Sequence, residues 1–223
     1  MRLRILIATA VLLTPLVVWR VVATRDAPPP MTPEEIAIRK DRISGNVEGL
    51  AKKVENLPPK FAKKAVRAMA SGGTKSLPFL KKILRKNKRP EIRQQAAQTM
   101  AQTLQKTARK AKPLEKKMTD ALVEAVLSDK APEVRASAAS ALGQVYDYSN
   151  MASLLKAMDD ESLAVRRRAF EAVSRIYGRR YEFNPNSASS KRQIVIQAIA
   201  ADWEAHKKHV GEYHDRRRKP TEP

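Results

Sequence analysis

One short motif occurs three times in the chain and constrains its fold more than any other feature. In each copy an apolar residue precedes an arginine, and small or apolar residues follow at helical spacing. The three steps are Ile92-Arg93, Val134-Arg135 and Val165-Arg166, so the offsets between copies are 42 and 31 residues. Such a period predicts a repeated helix pair of about thirty residues, with about eleven extra residues in the first interval. Because one pair cannot bury its apolar face alone, we expect neighbouring pairs to stack into a solenoid.

Two apolar stripes in each repeat predict two helices. In the best copy the second stripe consists of Val134, Ala138, Ala139, Leu142 and Val145. The preceding stripe consists of Met118, Leu122, Ala125 and Val126. Residues at these spacings lie on one face of an α-helix, and small alanines let two helices approach closely. Pro90 and Pro132 stand at the first helical position, where a proline loses no hydrogen bond.

Weaker patterns extend the solenoid toward the amino terminus. Stepping back 31 residues from the first clear copy places a second helix at Phe61 to Ala70 and its partner helix at Val47 to Leu57. Before this pair, the capping box Thr32-Pro33-Glu34-Glu35 predicts a short helix that ends near Ser44-Gly45.

The carboxyl-terminal region predicts a cap on the stack. A loop from Tyr181 to Ser190 leads to an amphipathic segment from Ser190 to Lys207. We expect this segment to form a closing helix in which Trp203 covers the last open apolar face. The residues that follow, 209–223, are basic and polar, so they predict a disordered tail.

The repeats resemble the HEAT-repeat family in its short form, the kind seen in phycobiliprotein lyase-type repeats. The family pattern has aspartate in the turn between the helices, followed by Val-Arg-x-x-Ala-x-x-Ala-Leu-Gly. The best match comprises Asp129, Val134, Arg135, Ala138, Ala141, Leu142 and Gly143. The next copy matches with Asp160, Val165, Arg166 and Ala169. The resemblance covers roughly residues 46–178 and is weak before residue 77.

This resemblance implies a ladder of contacts between the turn aspartates and the arginines of adjacent repeats. It therefore implies that the primary role of Arg93, Arg135 and Arg166 is structural, namely to hold adjacent repeats together. The first clear copy has Asn87-Lys88 where the aspartate belongs. A neutral residue at that turn leaves the ladder without an acidic partner there.

The sequence therefore predicts an all-α fold, an α-solenoid of about four HEAT-like helix pairs with an N-terminal hydrophobic helix and a closing C-terminal helix. The thin Ala, Leu and Val core of a solenoid suits a chain with only four Phe and two Trp. The expected segments are a signal anchor or signal peptide at 1–24, a proline-rich spacer and short helix at 25–45, the repeats at 46–180, the loop and closing helix at 181–208, and the basic tail at 209–223.

The leader predicts where the repeats lie. Arg2 and Arg4 precede Ile5 to Trp19, fifteen residues without charge. A positive start followed by an apolar segment is typical of an export signal or a membrane anchor. Extended past Arg20 to Ala23, the segment predicts a single-pass membrane protein whose repeat domain faces out of the cytoplasm. Cleavage near Ala23, which would give a secreted or periplasmic protein, is the alternative.

Positive charge is concentrated in the first half of the repeats. The chain carries a formal net charge of +21, and residues 46–115 hold 18 Lys and Arg against 4 Asp and Glu, a net of +14. Residues 116–180 hold 11 against 9, a net of +2. The charge of the first half exceeds what solubility requires, so it predicts attraction to polyanions that weakens as salt rises.

Candidate partner-binding residues fall in two basic stripes and on the second helices of the repeats. They are Lys60, Lys63, Lys64, Arg67, Lys81, Lys82, Arg85, Lys86, Gln94, Gln98 and Arg167. Repeat stacks bind partners on a surface formed by their second helices. Helical phase places ten residues on that surface: Lys63, Lys64, Arg67, Gln94, Gln98, Gln102, Ser137, Ser140, Arg167 and Glu171.

These residues predict a protein partner, with an anionic lipid or a surface polyanion as the alternatives for the basic half. Nucleic acid is a further alternative, disfavoured because the stripes hold almost no aromatic side chains on which bases could stack. Phe61 and Phe79, the aromatic residues nearest to the stripes, are candidates for the apolar face.

The residues predict neither an enzyme nor a cofactor. Histidine occurs only at 206, 209 and 214, so no Ser-His-acid set can form within the repeats. The chain has no cysteine, which excludes disulfides and a thiol nucleophile. Asp202, His206 and His209 could share a helix face as a metal site, although exposed terminal residues are the commoner explanation. We therefore predict a non-catalytic, exported or membrane-tethered scaffold that binds a protein or anionic partner through its surface.

Overall fold

The computed structural model describes residues 30–107, 112–146 and 148–218, and these residues are helical with short connections. The α-helices are α1 (Pro33–Ser44), α2 (Val47–Asn56), α3 (Pro59–Ala68), α4 (Leu77–Lys86), α5 (Pro90–Thr107), α6 (Lys112–Ser128), α7 (Pro132–Val145), α8 (Met151–Ala157), α9 (Leu163–Tyr177) and α10 (Ser189–Arg218). Short 3-10 helices cover Met69–Ser76 and Tyr148–Asn150. The predicted all-α fold is confirmed. The chain divides into two compact units, residues 1–36 and residues 37–223.

The described part of the first unit contains the start of helix α1. The Glu35 N–H donates a hydrogen bond to Thr32 Oγ1 at 3.3 Å, and the Thr32 N–H donates one to Glu35 Oε2 at 3.1 Å. These reciprocal bonds satisfy amides for which the first helical turn offers no partner. The predicted capping box is confirmed.

Helices of the second unit pair in chain order. Helix α2 packs against α3, α4 against α5, α6 against α7, and α8 against α9. These are the four helix pairs that the sequence predicts. The second helices, α3, α5, α7 and α9, stack as one row, and the first helices stack less closely as another. We call these the second-helix row and the first-helix row.

The extra residues of the first interval lengthen two helices. Helix α5 has 18 residues and α6 has 17, whereas α2, α3 and α4 have 10 each. The remaining residues of the interval, 108–111, lie outside the described residues. The insertion therefore extends the second and third repeats without adding a helix to the part of the chain that the structure describes.

Apolar side chains from both rows form one core. Its largest fully buried members include Leu50, Leu84, Met100, Leu142 and Leu154. Burying one such side chain contributes about 1.5–3 kcal/mol. Stacking of repeats is therefore the main source of stability, as the period of the sequence predicts.

Helices α7 and α9 approach each other closely at Gly143. A Cβ atom on Gly143 would lie 2.8 Å from Ala172 Cα and 2.7 Å from Ala172 Cβ. Because non-bonded carbon atoms do not approach so closely, this crossing requires a residue without a side chain. The glycine that ends the best copy of the motif is thus explained by helix packing.

Arginines of the second helices connect successive turns, as the family resemblance implies. Arg93 donates two hydrogen bonds to the Asp129 carboxylate, at 2.8 and 2.7 Å. Arg135 donates to Asp160 at 2.8 and 2.9 Å and to Glu161 at 2.9 Å. Both arginines also donate to backbone carbonyls of the turn before their own helix. Each guanidinium therefore joins two consecutive turns and fixes the register of adjacent repeats.

The joint between the first two repeats is built differently. Position 62, where the period places a ladder arginine, is alanine, and Asn87 occupies the following turn. Arg89 instead donates hydrogen bonds backward, to the Leu57 carbonyl at 2.8 Å and to the Val54 carbonyl. Asn87 Oδ1 accepts a hydrogen bond from the Arg89 N–H at 3.0 Å, so it shapes its own turn without carrying charge. The Arg89 guanidinium, which belongs to the second repeat, thus contacts the turn of the first repeat.

The last ladder arginine fixes the loop before α10. Arg166 Nε donates to the Pro185 carbonyl at 2.6 Å. Phe183 of the same loop packs against Phe170 of α9, with ring centroids 5.0 Å apart. These contacts hold an otherwise irregular segment against the last repeat.

Helix α10 closes the stack. Trp203 is buried and packs edge-on against Tyr177, with ring centroids 5.3 Å apart. The predicted capping role of this tryptophan is confirmed. The helix runs from Ser189 to Arg218, so the predicted disorder of the tail is wrong over residues 209–218. No proline, the residue that most strongly breaks a helix, occurs between residues 186 and 219.

The predicted single-pass membrane localisation is wrong by the structure. Within residues 30–107, 112–146 and 148–218, no helix combines the length and the apolar character that crossing a bilayer requires. Helices of the repeats are amphipathic, since they use one face for stacking and expose the other. The leader at 1–24, and with it the predicted N-terminal hydrophobic helix, lies outside the described residues.

Candidate functional site

The second-helix row carries a polar groove that runs along α7, and we call it the α7 trough. Helix α7 forms its floor, α5 and α9 form its walls, and its volume is about 660 Å³. The lining residues are Gln94, Gln98, Gln102, Glu133, Ala136, Ser137, Ser140, Ala141, Gln144, Ala164, Arg167, Arg168 and Glu171.

Small side chains make the floor of the trough. Ala136, Ser137, Ser140 and Ala141 share one face of α7, because positions separated by four residues lie above one another on a helix. None of them extends more than one heavy atom beyond Cβ. The floor is therefore lower than the walls, and the main chain of a partner can come close to α7.

One wall presents a row of three glutamines, Gln94, Gln98 and Gln102. They are spaced four residues apart on α5, which places neighbours about 6 Å apart along the helix axis. Gln98 and Gln102 are exposed and Gln94 is partly exposed. Within the part of the chain that the structure describes, no hydrogen bond joins these three amides to another residue. Each amide therefore offers two donors and one acceptor to a partner.

The opposite wall, on α9, presents charged side chains. Arg168 forms an ion pair with Glu171 at 2.8 Å. Arg167 is exposed, and no ion pair or hydrogen bond joins its guanidinium to any other described residue. Arg167 is thus a cation on this wall that a partner carboxylate can reach.

The structure brings together seven of the ten residues predicted for the second-helix surface. They are Gln94, Gln98, Gln102, Ser137, Ser140, Arg167 and Glu171. The other three, Lys63, Lys64 and Arg67, lie on α3, whose neighbour in the second-helix row is α5. Helical phase thus predicts the membership of the trough, whereas α3 forms a separate surface beside it.

The first basic stripe, Lys60, Lys63, Lys64 and Arg67, lies on α3. The ammonium groups of Lys60 and Lys64 lie 5.7 and 5.8 Å from the centre of the Phe61 ring. Arg67 Nη2 donates a hydrogen bond to Gln95 Oε1 of α5 at 3.1 Å. These contacts fix three of the four cations beside the trough, in the same row of helices.

The second basic stripe lies in the first-helix row. Lys82 and Lys86 line a groove of about 430 Å³ between α2 and α4, whose floor includes the apolar side chains of Phe79 and Ile83. Lys81 of the same helix is half-buried. The structure therefore does not bring the two basic stripes together.

One member of the second stripe has a structural partner. Arg85 forms an ion pair with Glu124 of α6, the next helix of the first-helix row. About half of the Glu124 side chain is exposed, at 51%, so this pair contributes little to stability. Arg85 is nevertheless less available to a partner than Lys82 or Lys86.

The alternative metal site at Asp202 is occupied by protein donors. Arg179 donates to the Asp202 carboxylate at 2.7 and 2.8 Å, and the Tyr181 hydroxyl also donates to it. The hydrogen bond from Tyr181, aided by Arg179, holds the pKa of the Asp202 carboxyl below its usual value. His206 Nδ1 lies 2.8 Å from the Asp202 carbonyl oxygen. No group of three His, Cys, Asp or Glu side chains suited to a metal ion is found among the residues described.

Two structural residues, Arg89 and Asp159, are not predicted by the repeat pattern. The Asp159 carboxylate accepts hydrogen bonds from Ser189 at 2.8 Å, and from Arg192 and Gln193 at 2.7 Å each. Burial raises the pKa of Asp159, but these hydrogen bonds outweigh it and lower the pKa. Asp159 therefore joins the last repeat to the closing helix. The sequence signal is the run of three acidic residues at 159–161, because Arg135 contacts only Asp160 and Glu161 and leaves one carboxylate for another role.

Comparison with protein families agrees with the packing of the helices. Residues 119–203 match a family model described as HEAT repeats, and residues 90–145 match one described as a HEAT-like repeat. A comparison with curated proteins gives no significant match. HEAT repeats are generally non-catalytic scaffolds and are commonly used in protein interaction. Residues 90–203 of this chain therefore match HEAT-repeat models, and their helices stack as part of an α-solenoid.

Proposed function

We propose that this protein is a non-catalytic scaffold that binds a protein partner in the α7 trough. The trough itself is the observation that carries the proposal, because it combines a low floor with glutamine amides that have no partner among the described residues. Extended surfaces of this kind are how repeat proteins bind their partners. The closer likeness to phycobiliprotein lyase-type repeats stays a prediction from the sequence.

Site-specific photo-crosslinking tests this proposal. A photoreactive amino acid replaces Ala164, an exposed residue on the α9 wall of the trough. The matched control carries it at Lys156, an exposed residue of α8 in the first-helix row. We expect the variant at position 164 to form one defined protein adduct that the variant at position 156 does not form. Equal labelling at both positions, or none at position 164, would contradict the proposal.

A blocking variant strengthens the test. Ser140→Trp places a large side chain on the floor of the trough, and Ser140 is only partly buried, so the core is little disturbed. We expect this change to abolish the adduct at position 164 while the helical circular dichroism signal and the melting temperature stay near those of the parent. An adduct that persists with a filled trough would place the partner elsewhere.

The basic stripe on α3 supports a second candidate function, the binding of a polyanion such as nucleic acid. Residues 46–115 carry a net charge of +14, from 18 basic and 4 acidic residues. Replacing Lys63, Lys64 and Arg67 with Glu reverses the charge of this stripe. We expect that variant to lose affinity for duplex DNA while its helicity is retained, and we expect parent affinity to fall steeply with salt.

The matched control for this candidate reverses three cations outside the stripe. Lys116, Lys117 and Lys130 are exposed and belong to the third repeat. Equal loss of affinity in both triple variants would show that only net charge matters. Unchanged binding of the stripe variant at low salt would exclude α3 as the contact surface for DNA, and the same pair of variants applies to anionic lipid vesicles and polysaccharides.

A further inference from the structure

We infer that the segment bound in the α7 trough is an extended polypeptide whose main chain is recognised by Gln94, Gln98 and Gln102. This inference rests on the proposed function and specifies its partner by chemistry. It follows from three properties of the trough: the spacing of its glutamines, the size of its floor residues and the polarity of its lining.

The spacing of the glutamine row matches an extended chain. Neighbouring glutamines are about 6 Å apart along α5. In an extended chain, groups that point to the same side recur every two residues, or about every 6.6–6.8 Å. Because the mismatch is less than about 1 Å per step, a flexible glutamine side chain can absorb it over the length of the row. Each glutamine can therefore donate to one main-chain carbonyl and accept from one main-chain N–H.

The dimensions of the trough fit one extended chain. Axes of packed helices are about 8–10 Å apart, so the α5 and α9 axes lie about 16–20 Å apart across α7. Side chains of the two walls occupy part of this width, and the remainder suits a strand-like segment, whose layers pack about 10 Å apart. Floor residues Ala136, Ser140 and Ala141 allow its backbone to approach α7 closely.

The polar lining favours an extended segment over an amphipathic helix. A helix satisfies its own main-chain hydrogen bonds and would bury an apolar face against the trough. The glutamine amides of the α5 wall that this helix covers would then lose water without gaining a partner, which is unfavourable. An extended segment presents unpaired N–H and C=O groups at every residue, so it can satisfy the amides that it covers.

The opposite wall adds a preference for acidic side chains. The Arg167 guanidinium is exposed on the α9 wall, and the outward-pointing side chains of the segment, which lie perpendicular to its main-chain hydrogen bonds, pass beside this wall. A carboxylate there would form a charge-assisted hydrogen bond. The trough therefore fits a segment of five or six residues with a tolerant sequence and one preferred Asp or Glu, since α7 from Glu133 to Gln144 is about 17 Å long.

Selection from a random peptide library provides the probe. A phage-displayed library of twelve-residue peptides is enriched on the full-length chain, and the strongest binder is synthesised. Its affinity is measured against the parent, against Q94A/Q98A/Q102A, and against Gln197→Ala, an exposed glutamine of α10 outside the trough. We expect the triple variant to bind about tenfold or more weakly, because several hydrogen bonds are lost together, and the control to bind like the parent.

Main-chain recognition is then tested on the peptide. Each amide of the selected peptide is methylated in turn, which removes its N–H donor. We expect methylation at every second residue to weaken binding at least tenfold, while alanine at the same residues is tolerated. An Asp or Glu preference should disappear in Arg167→Ala.

Three outcomes overturn the inference. They are a binder with apolar residues at helical spacing, full affinity in the triple glutamine variant, and failure of the library to yield any binder. If the adduct at position 164 forms while one of these outcomes occurs, the trough binds a protein partner but not through an extended main chain. If the adduct fails as well, the proposed function falls with the inference.

Discussion

The joint between the first two repeats of this solenoid and the joints between its later repeats are built from different interactions. Between the later repeats, Arg93 and Arg135 each form bidentate contacts with the aspartate of the next turn. Between the first two repeats, Arg89 donates to backbone carbonyls, and a neutral Asn87 stands in place of the aspartate. The later joints therefore use paired charges, whereas the first joint uses one cation and the peptide backbone.

This difference accounts for part of the uneven charge along the chain. In residues 116–180 several carboxylates serve as ladder acceptors, and 9 acidic residues balance most of the 11 basic ones. In residues 46–115 the acidic ladder residues are missing, and 4 acidic residues face 18 basic ones. The carboxylates that join the later repeats also neutralise positive charge on the surface of those repeats. The first half lacks these carboxylates, so its positive charge is presented to solvent and to partners.

Loss of a ladder arginine in the later half has the largest expected effect. Arg135→Ala removes a guanidinium that is 8% exposed and leaves Asp160, which is 14% exposed, without its partner. Breaking a buried ion pair costs about 3–5 kcal/mol, and we expect about 3 kcal/mol here because the carboxylate retains some water. Urea unfolding followed by circular dichroism measures this loss. The control is Arg168→Ala, which breaks an exposed pair and should cost less than about 1 kcal/mol.

Close packing of the later half is tested by adding one methyl group. Gly143→Ala places a Cβ against Ala172 Cα, and overpacking of this kind costs about 1–3 kcal/mol, despite the helix propensity that alanine gains. The period places Ala101 of α5 at the equivalent position in the first half, so the variant makes α7 resemble α5 there. Thermal unfolding should show a clear decrease in melting temperature.

A double variant distinguishes the causes of that decrease. Gly143→Ala with Ala172→Gly removes the contact with the Ala172 Cβ but keeps the 2.8 Å approach to its Cα. We therefore expect only partial recovery of the melting temperature. Complete recovery would show that the two backbones can separate at no cost, and the close approach would then not explain the glycine.

The sequence predicts the structural elements that recur from repeat to repeat. It does not predict the contacts that replace an element missing from one repeat. Apolar spacing predicts the helix pairs, and the resemblance to HEAT repeats implies the contacts of Arg135, since the later copies carry the same motif. The role of Arg89 depends on an alanine 27 residues earlier, at position 62, and on a distance that exists only after folding. In the sequence, Arg89 differs from the neighbouring lysines and arginines in no feature that would indicate a structural role. A pattern search therefore assigns it to the basic stripe.

The trough shows the same limit. Helical phase predicts the long side chains of its walls, such as Gln98 and Arg167, because exposed polar residues on second helices are conspicuous. Ala136 and Ala141 of its floor were not predicted, because alanine on a helix has the same pattern whether it packs in the core or lines a groove. Only the position of the neighbouring helices distinguishes the two cases.

A smaller effect is expected at the first joint. Arg89→Ala removes two hydrogen bonds from a charged donor to the Leu57 and Val54 carbonyls. Hydrogen bonds with a charged partner contribute about 1.5–3 kcal/mol in favourable cases, and we expect about 1.5 kcal/mol for this partly exposed pair. Hydrogen exchange should show the loss at the end of α2 and not in α7. Lys88→Ala, at an exposed neighbour, is the control, and equal effects of the two variants would remove the distinction between the joints.

The smallest expected difference between the halves is their response to acid. Burial raises the pKa of the Asp129 carboxyl, but hydrogen bonds from Arg93 and the Ala131 N–H outweigh it and lower the pKa below its usual value. A carboxyl with a lowered pKa stabilises the folded state above its unfolded pKa of about 3.9, and this contribution disappears as pH falls through the folded pKa. Asn87 does not titrate in this range, so the first joint has no such dependence.

Asp129→Asn removes this contribution at every pH. We expect the free energy of unfolding of the variant to be about 1–2 kcal/mol below the parent at pH 7, because the ion pair is lost. The gap should narrow as pH falls below the unfolded pKa of about 3.9 and through the lowered folded pKa, since the parent carboxyl loses its charge over that range and its pair with Arg93 weakens. Other carboxyls with lowered pKa values, such as Asp159, are present in both proteins and cancel in the comparison. A gap that stays constant between pH 7 and pH 2 would mean that the charge of Asp129 does not hold the repeats together, and that the two kinds of joint differ only in shape.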